Sequence, residues 1–177
     1  MKFLLTSFLL SVLLTGCAGP SRPPVDDLPV DDVVDEAEVT LQVGLVALED
    51  NGANGPLVGC GDSIIFITQS VSGPLTTEER IQAALEALFA IEGPTYGESG
   101  LYTALDASSI TVDSVHLEDE QLDIELTGTF SSGGVCDDPR IVEQIKETAK
   151  NNAGLDAELT LSILVNGEPL EQQLSGK

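Results

Sequence analysis

The sequence predicts an α+β domain of two layers, with a small mixed or mostly antiparallel sheet and two helices packed on one of its faces. Two observations predict it. Five segments read as strands, three of them by alternation of apolar and polar residues, and two others place apolar residues at i, i+3, i+4 and i+7. Their order, β-β-α-β-β-α-β, runs over a stretch of a size that suits one hydrophobic core.

The first strand carries Val39, Leu41, Val43, Leu45 and Ala47 in alternation. Glu49 to Pro56 is turn chemistry, rich in Asn, Gly and Asp. Ser63 to Val71, with its Ile, Phe and Val, is the second strand. Thr76 and Glu79 have capping-box spacing, and Ile81, Ala84, Leu85 and Leu88 form one face of the helix that follows. Gly93-Pro94 ends it. Thr95 to Ser108 is expected to be a loop with one helical turn near Leu101 to Leu105.

Ile110 to Leu117 is the third strand. Its apolar phase shifts between Val112 and Val115, as a bulge requires. Leu122, Ile124 and Leu126 alternate in the fourth, so the two are expected to pair as an antiparallel hairpin. Asp137 or Asp138 is expected to cap the second helix, with Pro139 near its first position. Ile141, Val142, Ile145 and Ala149 are its buried stripe, and Asn151 to Gly154 stops it. Leu159, Leu161, Ile163 and Val165 form the fifth strand, Asn166-Gly167 the turn, and Glu168 to Leu174 a short edge strand.

Before the domain lies a different kind of sequence. Lys2 precedes an apolar stretch, Phe3 to Leu14, of signal-peptide length and too short to span a bilayer. Leu14-Thr15-Gly16-Cys17 resembles the bacterial lipobox. The resemblance implies cleavage before Cys17 and a lipid on its thiol, which makes residues 1–16 a lipoprotein signal peptide. Residues 17–37 follow as the lipidated cysteine and an acidic, Pro-rich tether, extended by its prolines and by like charges at Asp26-Asp27, Asp31-Asp32 and Asp35-Glu36. Residues 38–177 are the folded domain. The expected location is extracytoplasmic, on a cell membrane or outer-membrane surface, with the membrane as a partner through the lipid anchor.

Thirty acidic residues against seven basic ones give a net charge of -23, which excludes nucleic acid and anionic headgroups as partners. With five Phe, two Tyr and no Trp, a stacking platform for sugars or bases is not expected. Cys60 and Cys136 form an even pair in an exported chain and are read as a disulfide. It would close a loop of about 77 residues and contribute about 4 to 5 kcal/mol on the chain-entropy model. Two free buried thiols are the alternative.

No catalytic set emerges. His116 is the single histidine and falls in the predicted hairpin, where a surface or edge-strand position accounts for it. No Gly-x-Ser-x-Gly elbow surrounds a serine, and Gly59-Cys60-Gly61-Asp62 lacks the lysine of a phosphate loop. Glu118, Asp119 and Glu120 read as a solvated hairpin tip. Arg140 is expected to pair with a carboxylate at the surface, to little effect. No cofactor and no metal are expected.

The run from Thr40 to Gly167 resembles the GerMN domain of bacterial sporulation and spore-germination proteins. The resemblance rests on the opening strand, the Ala83-Ala84-Leu85-Glu86-Ala87-Leu88 helix and Gly93-Pro94-Thr95. It continues through the hairpin at Ile110 to Leu126, the helix at Ile141 to Ala149, and Ile163-Leu164-Val165-Asn166-Gly167. It implies an extracytoplasmic, non-enzymatic domain related to ring-building motifs of envelope assemblies. The expected function is therefore interaction or assembly with other envelope proteins or by self-association, with Thr95 to Ser108 as the place for a specific surface. A cell-surface module for a small ligand or polymer is the second expectation, and an envelope hydrolase the third.

Overall fold

Residues 38–154 and 159–174 are described by the computed structural model. The predicted signal peptide, Cys17 and the tether lie outside the described residues. Strand β1 (Glu38–Ala47) pairs antiparallel with β3 (Asp62–Ser72), which also pairs with the two-residue β2 (Leu57–Val58). Helix α1 (Thr77–Phe89) follows, then the antiparallel hairpin of β4 (Ser109–Glu118) and β5 (Gln121–Thr129). Helix α2 (Asp137–Ala153) crosses over to β6 (Thr160–Val165), which lies parallel to β5. A parallel neighbour needs such a crossover, so β5, α2 and β6 form a βαβ unit. The chain closes with β7 (Glu168–Pro169), antiparallel to β6, and the short helix α3 (Leu170–Leu174).

The α+β class and the mostly antiparallel pairing hold, and the strands divide between two sheets, in the orders β1-β3-β2 and β4-β5-β6-β7. One core joins them. Val43 and Leu45 of β1, Ile81, Leu85 and Leu88 of α1, Ile141, Ile145 and Ala149 of α2, and Leu122, Ile124 and Leu126 of β5 are all buried in it. Each Val, Leu or Ile among them contributes about 1.5–3 kcal/mol by leaving water.

The helix ends differ in their chemistry. At α1 the capping box forms as its spacing requires. Thr76 Oγ1 accepts the Glu79 N–H at 3.2 Å, and Glu79 Oε2 accepts the Thr76 N–H at 2.8 Å. At α2 the cap is Cys136, without a side-chain hydrogen bond, and not Asp137 or Asp138. Those two acids lie inside the first turn, where the dipole favours them, and reach back to the preceding loop. Asp137 accepts the Gly133 N–H, and Asp138 takes the Ser132 hydroxyl. Pro139 is accordingly the third helical residue.

Two further expectations change. Glu168 to Leu174 is an edge strand only for two residues, because Leu170 and Leu174 are drawn into the core and the backbone coils to place both there. The segment Thr95 to Ser108 holds a turn at residues 104–107 and no helix. The bulge in β4 is present, with the register shifting between Val112 and Ser114.

The outer edge of β1 is closed by side chains of α2. Gln144, Thr148 and Asn152 stand at i, i+4 and i+8, so they form one row on the helix, and all three are buried. Asn152 Oδ1 accepts the Gln42 N–H at 3.0 Å while its Nδ2 donates to the Gln42 carbonyl at 2.6 Å. Thr148 Oγ1 accepts the Gly44 N–H at 2.9 Å, and Gln144 Nε2 donates to the Gly44 carbonyl at 3.1 Å. Val46 exchanges both backbone hydrogen bonds with Tyr102 at 2.8 Å each. The row therefore does the work of a neighbouring strand and removes an open edge. Close approach is what allows it. A Cβ on Gly44 would lie 3.1 Å from both Thr148 Oγ1 and Ile64 Cγ2.

Candidate interaction site

The segment after α1 is held at its base and displayed at its tip. Thr95 and Tyr102 bridge each other, Tyr96 N–H donates to the Leu101 carbonyl at 2.9 Å, and Thr103 N–H donates to the Pro94 carbonyl at 3.0 Å. Tyr102 is joined to β1 at Val46, and the Ala104 N–H donates to Gln144 Oε1 at 2.9 Å. Residues 97–100 at the tip are exposed. A loop clamped this way presents a fixed surface and loses little conformational freedom on binding.

Beside it is a cleft of about 410 Å³ lined by Gln69 of β3, Ala87, Ala90, Ile91 and Glu92 at the end of α1, and Thr95, Tyr96 and Gly97. Two alanines open it where the helix ends. Its walls are half apolar, with the Glu92 carboxylate as their charged group.

A second constellation lies at the start of α2. Asp62 is fully buried, and its Oδ2 accepts Nε and Nη2 of Arg140, each at 2.7 Å. Its Oδ1 accepts the Glu49 N–H at 2.8 Å. Arg140 Nη1 also reaches Asp137 Oδ1 at 2.9 Å, and its guanidinium lies 5.4 Å from the centre of the Tyr102 ring. The expected surface pairing of Arg140 is thus corrected: its side chain is 13% exposed and its partner is 78 residues away. Burial pushes the Asp62 carboxyl up, but the Arg140 hydrogen bonds, the Glu49 N–H and the guanidinium charge outweigh it and leave the group below the ordinary aspartate range. Burial pushes the Tyr102 phenol up, and the Asp137 carboxylate pushes it the same way. Every polar group here is partnered, so the cluster ties the start of β3 and the β1–β2 connection to α2. The Cys60–Cys136 disulfide crosses the same junction, with a Cα–Cα separation of 5.5 Å.

The remaining candidates stay apart. His116 lies on the open face of β4 with its side chain 67% exposed, and its Nδ1 is 3.3 Å from Glu78 Oε1. Glu118, Asp119 and Glu120 are exposed at the hairpin tip. Among the described residues no serine is hydrogen-bonded to His116, so the geometry there brings no nucleophile and base together. Among the described residues no group of three or more His, Cys, Asp or Glu could hold a metal ion, and no helix is long and apolar enough to cross a membrane.

The polar row on α2 and the buried arginine are the features sequence reasoning missed. The i, i+4, i+8 spacing of Gln144, Thr148 and Asn152 beside the apolar stripe was the available signal.

Comparison with known proteins places this architecture. None of the curated proteins matches the chain. In the solved structure of the tandem GerMN domains of the sporulation protein GerM from Bacillus subtilis, the match covers 85% of this chain at 17% identity, with a TM-score of 0.51. It spans 44% of that protein's length, so the likeness is one of fold. The model of the Germane family, described as sporulation and spore germination, matches residues 62–171, from the buried Asp62 through both helices to α3. That is more than half of the sequence, and the chain belongs to this family.

Proposed function

We propose that this chain is a lipid-anchored, extracytoplasmic interaction domain that assembles with other envelope proteins. The carrying observation is the clamped loop at residues 94–105, which offers an exposed tip on a base hydrogen-bonded to both β1 and α2. A rigid displayed loop is what a protein surface uses for recognition, and catalysis would need converging titratable groups instead. Three sequence features support the location. Lys2 and the apolar stretch have signal-peptide form, Leu14-Thr15-Gly16-Cys17 has lipobox form, and the Cys60–Cys136 pair suits an oxidising compartment. In this reading the acidic segment 18–37 holds the domain away from the lipid surface.

The test is made in the cells that produce the protein. A photocrosslinker at Ser99 is expected to give discrete adducts with envelope proteins, and Cys17→Ser is expected to move the chain out of the membrane fraction. A chain that stays membrane-bound with Cys17→Ser removes the anchor from this account. The absence of adducts from every exposed position on the domain removes the assembly role.

A further inference from the structure

Strand β3 keeps one edge open. Gln42, Gly44 and Val46 of β1 turn their backbone groups toward α2 and Tyr102, so it is Leu41, Val43 and Leu45 that bond to β3, at Gln69, Ile67 and Ile65. By strand alternation, Phe66, Thr68 and Ser70 direct their N–H and C=O groups to the opposite side. Strand β2 pairs there only with Asp62 and Ser63. Ile64 is sheltered by the loop, since a Cβ on Gly55 would lie 2.7 Å from its carbonyl oxygen. Beyond it, among the described residues, no strand pairs with this edge, and Thr68 and Ser70 on it are exposed. From Ser63 to Ser72 it contains no charged residue and no proline, so it lacks the usual guards of an edge strand. The contrast within one sheet is sharp: the β1 edge is closed by three buried polar side chains, and the β3 edge is left bare.

The cleft reaches strand β3 at Gln69. Gln69 is one wall, and the end of α1 with Thr95, Tyr96 and Gly97 of the clamped loop is the other. Strand addition needs this pairing of parts, with main-chain groups for affinity and a side pocket for alternate side chains. We propose that the β3 edge and the cleft form one strand-addition site. It takes an extended segment of a partner protein that is uncharged except for a Lys or Arg beside Glu92. The proposal rests on the assembly reading above and names its surface.

Charge selects the occupant. A second copy would bring a chain of net charge -23 against another. A segment with a cation at the Glu92 end meets complementary charge and has no such opposition.

The test uses the full chain in detergent and three short synthetic peptides. One alternates Thr and Val and ends in Lys, its twin ends in Glu, and the third is interrupted by Pro. The Lys-ended peptide is expected to bind and to slow amide exchange at Phe66, Thr68 and Ser70. The Glu-ended peptide is expected to bind about tenfold more weakly, and the Pro-interrupted one not at all. Thr68→Pro deletes an outward N–H that β1 does not use, and it is expected to abolish binding. Ala90→Trp fills the cleft from an exposed position and is expected to weaken binding about tenfold. Failure of all three peptides to bind, binding that survives Thr68→Pro, or a dimer of the chain joined through β3 each overturns the proposal. Capture of envelope proteins that survives both variants would leave the assembly reading standing and remove this site. Loss of capture from every surface position would remove the reading itself.

Discussion

Asn152 pairs with Gln42 as one strand residue pairs with another, accepting its N–H at 3.0 Å and donating to its carbonyl at 2.6 Å. The two residues are 110 apart in sequence. A helix side chain thereby finishes a sheet, and Asn152 Nδ2 also reaches the Thr148 carbonyl of its own helix at 2.7 Å.

Asn152→Ala should therefore cost more than loss of side-chain contact alone. It leaves a part-buried N–H and C=O of β1 without partners, at up to about 1–3 kcal/mol. Urea unfolding of the oxidised protein checks this. A change within experimental error would mean that water replaces the amide and that the row is not needed to close the edge.

The Arg140–Asp62 pair predicts a pH dependence. Asp62 is held below its ordinary value in the folded protein, so it binds fewer protons than in the unfolded chain. Its stabilising effect is complete above the ordinary aspartate pKa and is lost as pH falls through the depressed value. Denaturation midpoints measured from about pH 6 down to about pH 2 should fall through that window. Asp62→Asn should be less stable at neutral pH and should show a flatter acid limb. An unchanged acid limb would assign the acid sensitivity to other carboxylates, of which Glu79 and Glu171 are also held low.

The disulfide closes a loop with a sequence separation of 76. Cys60→Ser with Cys136→Ser should lower stability by about 2–5 kcal/mol, with the fold retained at low temperature. Calorimetry of the double variant against the oxidised parent gives the difference directly.

Leu85 is fully buried where α1 meets the shared core. Leu85→Ala should cost about 2–5 kcal/mol, because the helix cannot collapse into the space while both sheets hold its neighbours. A loss much below that range would show that the core relaxes around α1.

Local chemistry was legible wherever neighbours in sequence decide the outcome. The Thr76–Glu79 box, the β4–β5 hairpin and the bulge after Val112 all follow from residues a few positions apart. The family resemblance, carried by short pieces in order, agrees with the match over residues 62–171. The disulfide apart, long-range pairing of polar side chains was not legible. Gln144, Thr148 and Asn152 look like a solvated stripe until β1 is placed against them. Arg140 looks like a surface residue until Asp62 arrives from another element. The last segment reads as a strand because Leu170 and Leu174 are four apart, a spacing that serves either a strand face or one helical turn, and the core selects the turn. For the candidate interaction site, the loop at residues 95–108 was visible as a long connection, whereas its clamps on β1 and α2 were not.

The most direct test of the central claim is photocrosslinking in the intact envelope from Ser99 at the exposed loop tip. The account predicts a discrete set of adducts with envelope proteins, and predicts that they persist when the lone histidine is replaced by His116→Ala. The absence of any adduct from Ser99 and from the other exposed positions of the domain would contradict it.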